Sequence, residues 1–407
     1  MAYKLLLLWS FFLIGRPQDL LPVLQPMRPA FVLTGMTCVA VIFSGSKNFK
    51  NVFSLKETKN YLFFFAIMII GIPFAYHRRI AFESILLGYL LSVLFFLVLV
   101  SEINSLKRIK DLVLIICASN FLFSFFGLLY GSSSGGRFRI YGSMFDQNDI
   151  AFVLTSLFPL SIFYLQSNEG LIKRIFGIII ICSSIMVILM SGSRGGLLGL
   201  ITVLAIILLT KIGNMKRGHK FMFIGLLCVV YLLISDKLDL TRYLTLLDIG
   251  SDYNVSDETG RTQIWERAFS LMLSHPITGV GVGCFPMALG YMREGLGLLP
   301  IWQATHNSFL QIGAEVGLIG FVVFVLISFR SLLTFLHVSK IEATSTEARE
   351  LGILGGLMFL GFVGHLVTSN FLSQGYSIYF VMYFALAAIL KRLKIQYARS
   401  NNTSQTV

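Results

Sequence analysis

Charge is what this sequence has least of. Asp, Glu, Lys and Arg make up 13% of its 407 residues, against roughly 25% in ordinary soluble domains. A soluble fold of this length cannot hide 56% hydrophobic residues, because buried volume grows too slowly with chain length. A soluble globular protein is excluded, and so is a disordered chain. Cysteine is scarce as well. There are five, Cys38, Cys117, Cys182, Cys228 and Cys284, four of them in apolar runs, so no disulfide framework is implied. Nucleotide and metal signatures are missing: no G-x-x-x-x-G-K-[ST] loop, no H-E-x-x-H, and no two aspartates two residues apart to form a D-x-D nucleotide-sugar site. Gly279-Val280-Gly281-Val282-Gly283 has neither the spacing nor the strand-to-helix setting of a dinucleotide fingerprint. No metal and no cofactor are therefore expected. The net charge of +13 comes from bases scattered through short loops, not from the single stripe that nucleic acid requires. Neither solenoid-period repeats nor the related halves of an inverted-repeat transporter are visible.

What fills the chain is uncharged length. Leu112–Gly136 carries no charge, nor do the residues between Arg174 and Arg194, nor the forty between Glu350 and Lys391. Runs of 18 or more such residues read as transmembrane helices. The expectation is an all-α integral membrane protein with about twelve spans. They fall near 3–14, 29–45, 60–76, 80–101, 111–130, 149–166, 171–190, 195–211, 220–235, 308–336, 350–369 and 375–391. The first lacks a cleavage site before Gly15-Arg16-Pro17, so it reads as an uncleaved span and not a signal peptide. With the N-terminus inside, the inner loops gather Lys47, Lys50, Lys56, Lys59, Lys107, Arg108, Lys110, Lys173, Arg174, Lys216, Arg217, Lys391, Arg392 and Lys394. That positive-inside bias places both termini in the cytoplasm. Residues 1–235 form an N-terminal bundle of about nine spans, 236–305 a large outer loop, 306–392 about three further spans, and 393–407 a tail.

The outer bases are nearly all arginine: Arg16, Arg28, Arg78, Arg79, Arg137, Arg139, Arg194, Arg242, Arg261, Arg267 and Arg293, with the single lysine Lys237. Orientation needs only positive charge. Arginine is preferred where a planar fork must grip phosphate or carboxylate in two places, so the set points to an anionic, phosphorylated ligand. Headgroup snorkelling is the competing account of any one of them.

Four segments carry candidate chemistry. Ser191-Gly192-Ser193-Arg194-Gly195-Gly196 puts an arginine at a helix start beside glycine backbone suited to an anion; a tight turn with a headgroup anchor gives the same pattern. In Thr259–Met272, Ile264, Ala268, Leu271 and Met272 share one helical face. That predicts an amphipathic helix at the membrane surface, with Arg261 one turn before Trp265, placed to reach a lipid-linked phosphate or to stack on the indole. Ala304-Thr305-His306-Asn307-Ser308 places His306 at a helix start capped by Thr305 or Asn307. Nearby arginines and the helix dipole disfavour imidazolium there, which suits a general base; a structural histidine is the alternative. Glu315, farther down that helix, reads as an intramembrane polar anchor. Arg137–Asp149 adds Arg137, Arg139 and a polar stretch that Asn148 or Asp149 would use as a helix cap.

These residues together resemble the O-antigen ligase / O-antigen polymerase superfamily of bacterial membrane glycosyltransferases. The resemblance rests on Gly192-Ser193-Arg194-Gly195-Gly196, on Gly260-Arg261 with Trp265 followed by His275-Pro276 and Gly279-x-Gly281, on Thr305–Leu310 running into Glu315-x-Gly317, and on Phe145–Ala151. It implies a GT-C-like fold in the bacterial inner membrane. It also implies a periplasmic reaction that takes a glycan from undecaprenyl diphosphate without metal or nucleotide. The acceptor is a lipid A-core sugar for a ligase, or another carrier-linked repeat for a polymerase, including one for exopolysaccharide. By carry-over His306 is the base and Arg194 and Arg261 hold the departing diphosphate. Arg137, Arg139, Arg267, Trp265 and Asn307 complete the expected substrate contacts. Relatives often have proline near Asp146-Gln147-Asn148, and this chain does not. A lipid-linked oligosaccharide flippase or other transporter is the alternative from a different class. It would line a central cavity with charge on both sides of the midplane, whereas here charge crowds the outer rim.

Overall fold

The computed structural model describes residues 1–407 except 45–46, 135–136, 140–145, 213–216, 236–242, 244–256, 258, 343 and 405–407. Parts of the sequence reading rest on Ile140 to Phe145, Lys216, Lys237 and Arg242, which lie outside the described residues. The long apolar runs form helices because, with no water to satisfy backbone groups in lipid, the chain must satisfy them within each segment.

In chain order the principal helices are α1 (Ala2–Ile14), α2 (Pro29–Phe43), α3 (Lys56–Phe74), α4 (Arg78–Glu102), α5 (Leu106–Tyr130), α6 (Gln147–Gln166), α7 (Leu171–Met190) and α8 (Arg194–Leu209). They continue as α9 (Arg217–Ile234), α10 (Arg261–Ser274), α11 (Phe285–Gly295), α12 (Ser308–Ser339), α13 (Thr346–Ser369) and α14 (Ile378–Ser404). A small antiparallel hairpin, β1 (Ser132–Ser134) with β2 (Arg137–Arg139), interrupts the all-helical pattern. Each expected span coincides with a helix. Among the described residues, seven of these helices are long and apolar enough to cross a membrane, α3 to α7, α12 and α13; α1, α2, α8 and the Phe223–Ile234 part of α9 are shorter apolar helices.

The helices α6 and α13 form the interior, packing on each other and on α8, while α13 also meets α12. Outward faces carry exposed residues such as Phe43, Ile70, Ile172 and Leu209, an apolar surface that only lipid or a partner tolerates. Charged groups segregate to the helix ends. At one end Lys110 pairs with Glu169 and Glu350, and Lys391 pairs with Glu57. The starts of α6, α8 and α12 and the turn between α13 and α14 lie at the other.

Helix α12 is broken at Gly317, whose φ is 82°. The break strands backbone groups on both sides, and the preceding loop takes them up. Val280 N–H donates to Ala314 O (2.8 Å), Gly281 N–H to Glu315 O (3.0 Å), and Leu318 N–H to Pro276 O (2.8 Å). Glu315 is the polar anchor of this joint: its Oε1 accepts from Phe285 N–H at 3.2 Å. The glycine-rich stretch 279–283 therefore serves close backbone packing. A Cβ on Gly279 would lie 2.4 Å from the Glu315 carbonyl carbon.

Candidate active site

Helix α10 has the buried face its periodicity predicts, Ile264, Ala268, Leu271 and Met272. That face does not rest on the membrane surface. It packs on α12 and α11 in a satellite core with Ala314, Phe285, Ala288 and Leu289, and the Met272 thioether occupies the space where a Cβ on Gly313 would be. The apolar pattern was legible, but periodicity cannot distinguish protein from lipid as the covering phase. The consequence is functional: α10 is fixed against the helix that His306 introduces.

His306 precedes α12 with φ 49°, a left-handed conformation unusual for a side-chain-bearing residue. Four hydrogen bonds hold this turn there. Its backbone N–H donates to Ser373 Oγ at 2.8 Å, and that hydroxyl also bonds Thr305 Oγ1 at 2.9 Å. On the following turn, Ser308 Oγ donates to Leu372 O and accepts from Gln374 N–H. Of the two expected caps, Thr305 and Asn307, it is Asn307 that caps α12: its Oδ1 accepts from Phe309 and Leu310 N–H, each at 3.0 Å. Burial first, and then the Arg261 guanidinium, push the His306 imidazole below the ordinary histidine range, while Asp146 acts in the opposite sense. The imidazole is therefore neutral near pH 7, chiefly through burial, which the expectation from nearby arginines and the helix dipole did not include.

The Arg194 turn meets the same place from another side. Arg194 is the first residue of α8, and Ser193 caps that helix by accepting Gly196 N–H at 3.2 Å. Gly195 and Gly196 pack closely against neighbouring helices on the side where a Cβ would stand. A Cβ on Gly195 would lie 2.8 Å from Phe371, and one on Gly196 would lie 2.5 Å from Ala151 Cβ, so they let α8 close on α6 and on the α13–α14 turn. Phe371 also faces the Trp265 indole, with ring centroids 6.4 Å apart. The Trp265 Nε1 is buried with no acceptor among the described residues.

One short segment, residues 370–377, thus joins pieces distant in sequence. Phe371 touches Gly195 and Trp265, Ser373 holds His306, and Gln374 Nε2 donates to Asp149 Oδ1 at 2.8 Å. Sequence reasoning missed it. The available signal was a polar break, Ser373-Gln374-Gly375, between the last two apolar runs on the His306 side. Replacing Ser373 with alanine strands the His306 N–H, a loss of roughly 1–3 kcal/mol when such a group is buried. We expect a modest fall in melting temperature in detergent, with a larger fall in catalytic turnover than in substrate affinity.

The other expected residues lie on neighbouring elements. Arg137 and Arg139 lie on β2, whose backbone packs near the start of α6. That helix is capped by Asp146, which forms a capping box with Asp149, and not by Asn148 or Asp149 as the cap residue. Arg267 is on α10, half-buried beside Ala268. Among the remaining outer arginines, Arg293 is buried and donates to Leu299 O, Arg79 pairs with Glu83, and Arg16 pairs with Asp19. Structural tasks therefore account for part of the arginine excess. Among the described residues, no group of three or more His, Cys, Asp or Glu is placed to hold a metal ion.

Compared with known families, residues 178–325 match the family model described as O-antigen ligase. The matched segment contains Arg194, Arg261, Trp265 and His306. It supports the superfamily read from the motifs, and with it a ligase- or polymerase-type glycosyltransferase acting in a membrane. No curated protein matches the chain significantly.

Proposed function

We propose that this chain, with its O-antigen ligase segment, is a ligase-type glycosyltransferase. It moves a glycan from undecaprenyl diphosphate to a hydroxyl of a lipid A-core acceptor at the periplasmic face of the bacterial inner membrane, with both termini cytoplasmic. The observation that supports the reading is that residues 370–377 tie the His306 turn to the Arg194 turn and Trp265, with His306 a half-buried imidazole that burial and Arg261 keep neutral. His306 removes the proton of the acceptor hydroxyl. The acceptor oxygen attacks the anomeric carbon, its bond to the diphosphate breaks, and undecaprenyl diphosphate departs with the electron pair. Arg194 and Arg261 stabilise that charge, the step where fixed dipoles and cations contribute most. The diphosphate bond already stores the driving force, so positioning supplies most of the remainder. Residues 1–235 and 306–392 form the membrane body in this reading, and 236–305 the periplasmic loop that brings in Arg261.

The test is reconstitution of the full chain with carrier-linked glycan and lipid A-core, scored for glycan joined to the core. Arg194→Lys keeps the charge but loses the planar fork, and should lower transfer by roughly ten- to a hundredfold, in line with losing part of a charge-stabilising contact. Full activity in Arg194→Lys and Arg194→Ala, with both proteins folded, removes Arg194 from the diphosphate site. A deletion strain separates the two members of the class. Carrier-linked polymer that is intact but unattached indicates a ligase; accumulation of single repeats indicates a polymerase.

A further inference from the structure

Beside the His306 site lies a cavity of about 350 Å³ that the mechanism above does not use. Its wall includes Arg16, Gln18, Asp149, Gln374 and Ser377, with Phe152 among its apolar components. The volume lies within the roughly 300–1,000 Å³ common for small-ligand sites. The cavity is joined to the active site through two shared elements. Gln374, in its wall, follows Ser373, which holds the His306 backbone. Asp149, also in its wall, forms the capping box with Asp146, which acts on the His306 imidazole.

The wall chemistry identifies the kind of occupant. Gln18 Oε1 and Ser377 Oγ are buried and meet no protein partner among the described residues. Gln18 Oε1 can only accept, so it calls for a ligand that donates hydrogen bonds. Leaving such groups dry and unpaired is costly, and a diphosphate offers Gln18 Oε1 no donor. The Asp149 carboxylate would repel a diphosphate as well, and Arg16 is already paired with Asp19. Carboxylate, amides, a hydroxyl and the Phe152 ring together suit a neutral, hydroxyl-rich group with apolar C–H faces, which is a sugar ring. We propose that this cavity is the acceptor subsite, holding the receiving sugar so that one of its hydroxyls faces His306. The assignment rests on the glycosyltransferase reading and adds the place from which the acceptor enters: between α1, the start of α6 and the α13–α14 turn.

The experiment is steady-state kinetics of the full chain in nanodiscs, with undecaprenyl-diphosphate-linked glycan and purified lipid A-core varied separately. Gln18→Leu and Ser377→Val delete the unpaired groups, and each should raise the acceptor KM about tenfold, as for one lost hydrogen bond. The donor KM should stay within about twofold. Gln18→Trp fills the cavity and should abolish transfer while donor affinity, read by fluorescence quenching, persists. If Gln18→Trp does not fold, the two deletion variants still decide the matter. Unchanged acceptor KM in both, or a rise confined to donor KM, overturns the subsite while leaving the glycosyltransferase intact, provided wild type transfers glycan and His306→Ala does not. A wild type that transfers nothing, or a fully active His306→Ala, overturns the glycosyltransferase reading itself and the subsite with it.

Discussion

His306→Ala is expected to lower glycan transfer by roughly two to four orders of magnitude, the usual range for a positioned general base, equivalent to about 3–5 kcal/mol of barrier. The protein should stay folded. The His306 contacts that position the segment are made by its backbone and by Thr305, Asn307 and Ser308, not by its own side chain. The pH profile separates a base from a merely structural imidazole. The base works when neutral, and burial together with Arg261 holds the imidazole below its ordinary value, near 6.5 in model peptides. The acid limb of the rate should therefore lie below about pH 6.5, with activity level through neutrality. Removing the cation in Arg261→Gln eases protonation, so the limb should move to higher pH even as the maximal rate falls. Asp146→Asn should move it to lower pH. Because burial is the larger cause, Arg261→Gln should restore only part of the depression. A limb that stays put in both variants, or survives in His306→Ala, assigns the titration to another group.

The same site shows what sequence patterns disclose and what they do not. Helix positions were legible because each span is a long uncharged run, a signal carried by the segment alone. Arg194, Arg261 and His306 were legible because each stands out locally, an Arg or His at a helix start amid apolar or glycine-rich neighbours. The device that joins them was not. Residues 370–377 act through one hydroxyl, one amide, one ring and backbone groups reaching segments more than sixty residues away, and nothing in Ser373 announces a partner in His306. The covering of α10 was misassigned to membrane because amphipathicity reports only that an apolar face is covered. The cap of α12 was legible only as a choice between Thr305 and Asn307, and the geometry selects Asn307, whose side-chain oxygen accepts two backbone N–H groups. The glycines at 195 and 196 also answer a packing demand that composition does not disclose, since an added Cβ would meet Phe371 or Ala151.

Gly279→Ala should be among the most damaging single-methyl changes in the chain, though it touches no substrate. Two costs add. Gly279 has φ 64°, and a left-handed conformation costs a side-chain-bearing residue roughly 1–2 kcal/mol. The new Cβ would also lie 2.4 Å from the Glu315 carbonyl carbon and 2.6 Å from Gly317 N. These are backbone atoms that cannot rotate aside, and overpacking of this kind costs about 1–3 kcal/mol. Gly297 isolates the first cost. Its φ is 72°, but a Cβ there meets nothing within 4 Å, so Gly297→Ala should destabilise by the conformational part alone. The excess in Gly279→Ala should fall on the joint where Val280 and Gly281 satisfy the broken α12. That joint fixes α10, and with it Arg261, relative to His306. Melting of the detergent-solubilised variants should therefore rank Gly279→Ala well below Gly297→Ala, and transfer should collapse only in the former. Equal melting temperatures would mean that the loop yields without cost, and normal transfer in Gly279→Ala would mean that the α10–α12 joint does not position the arginine.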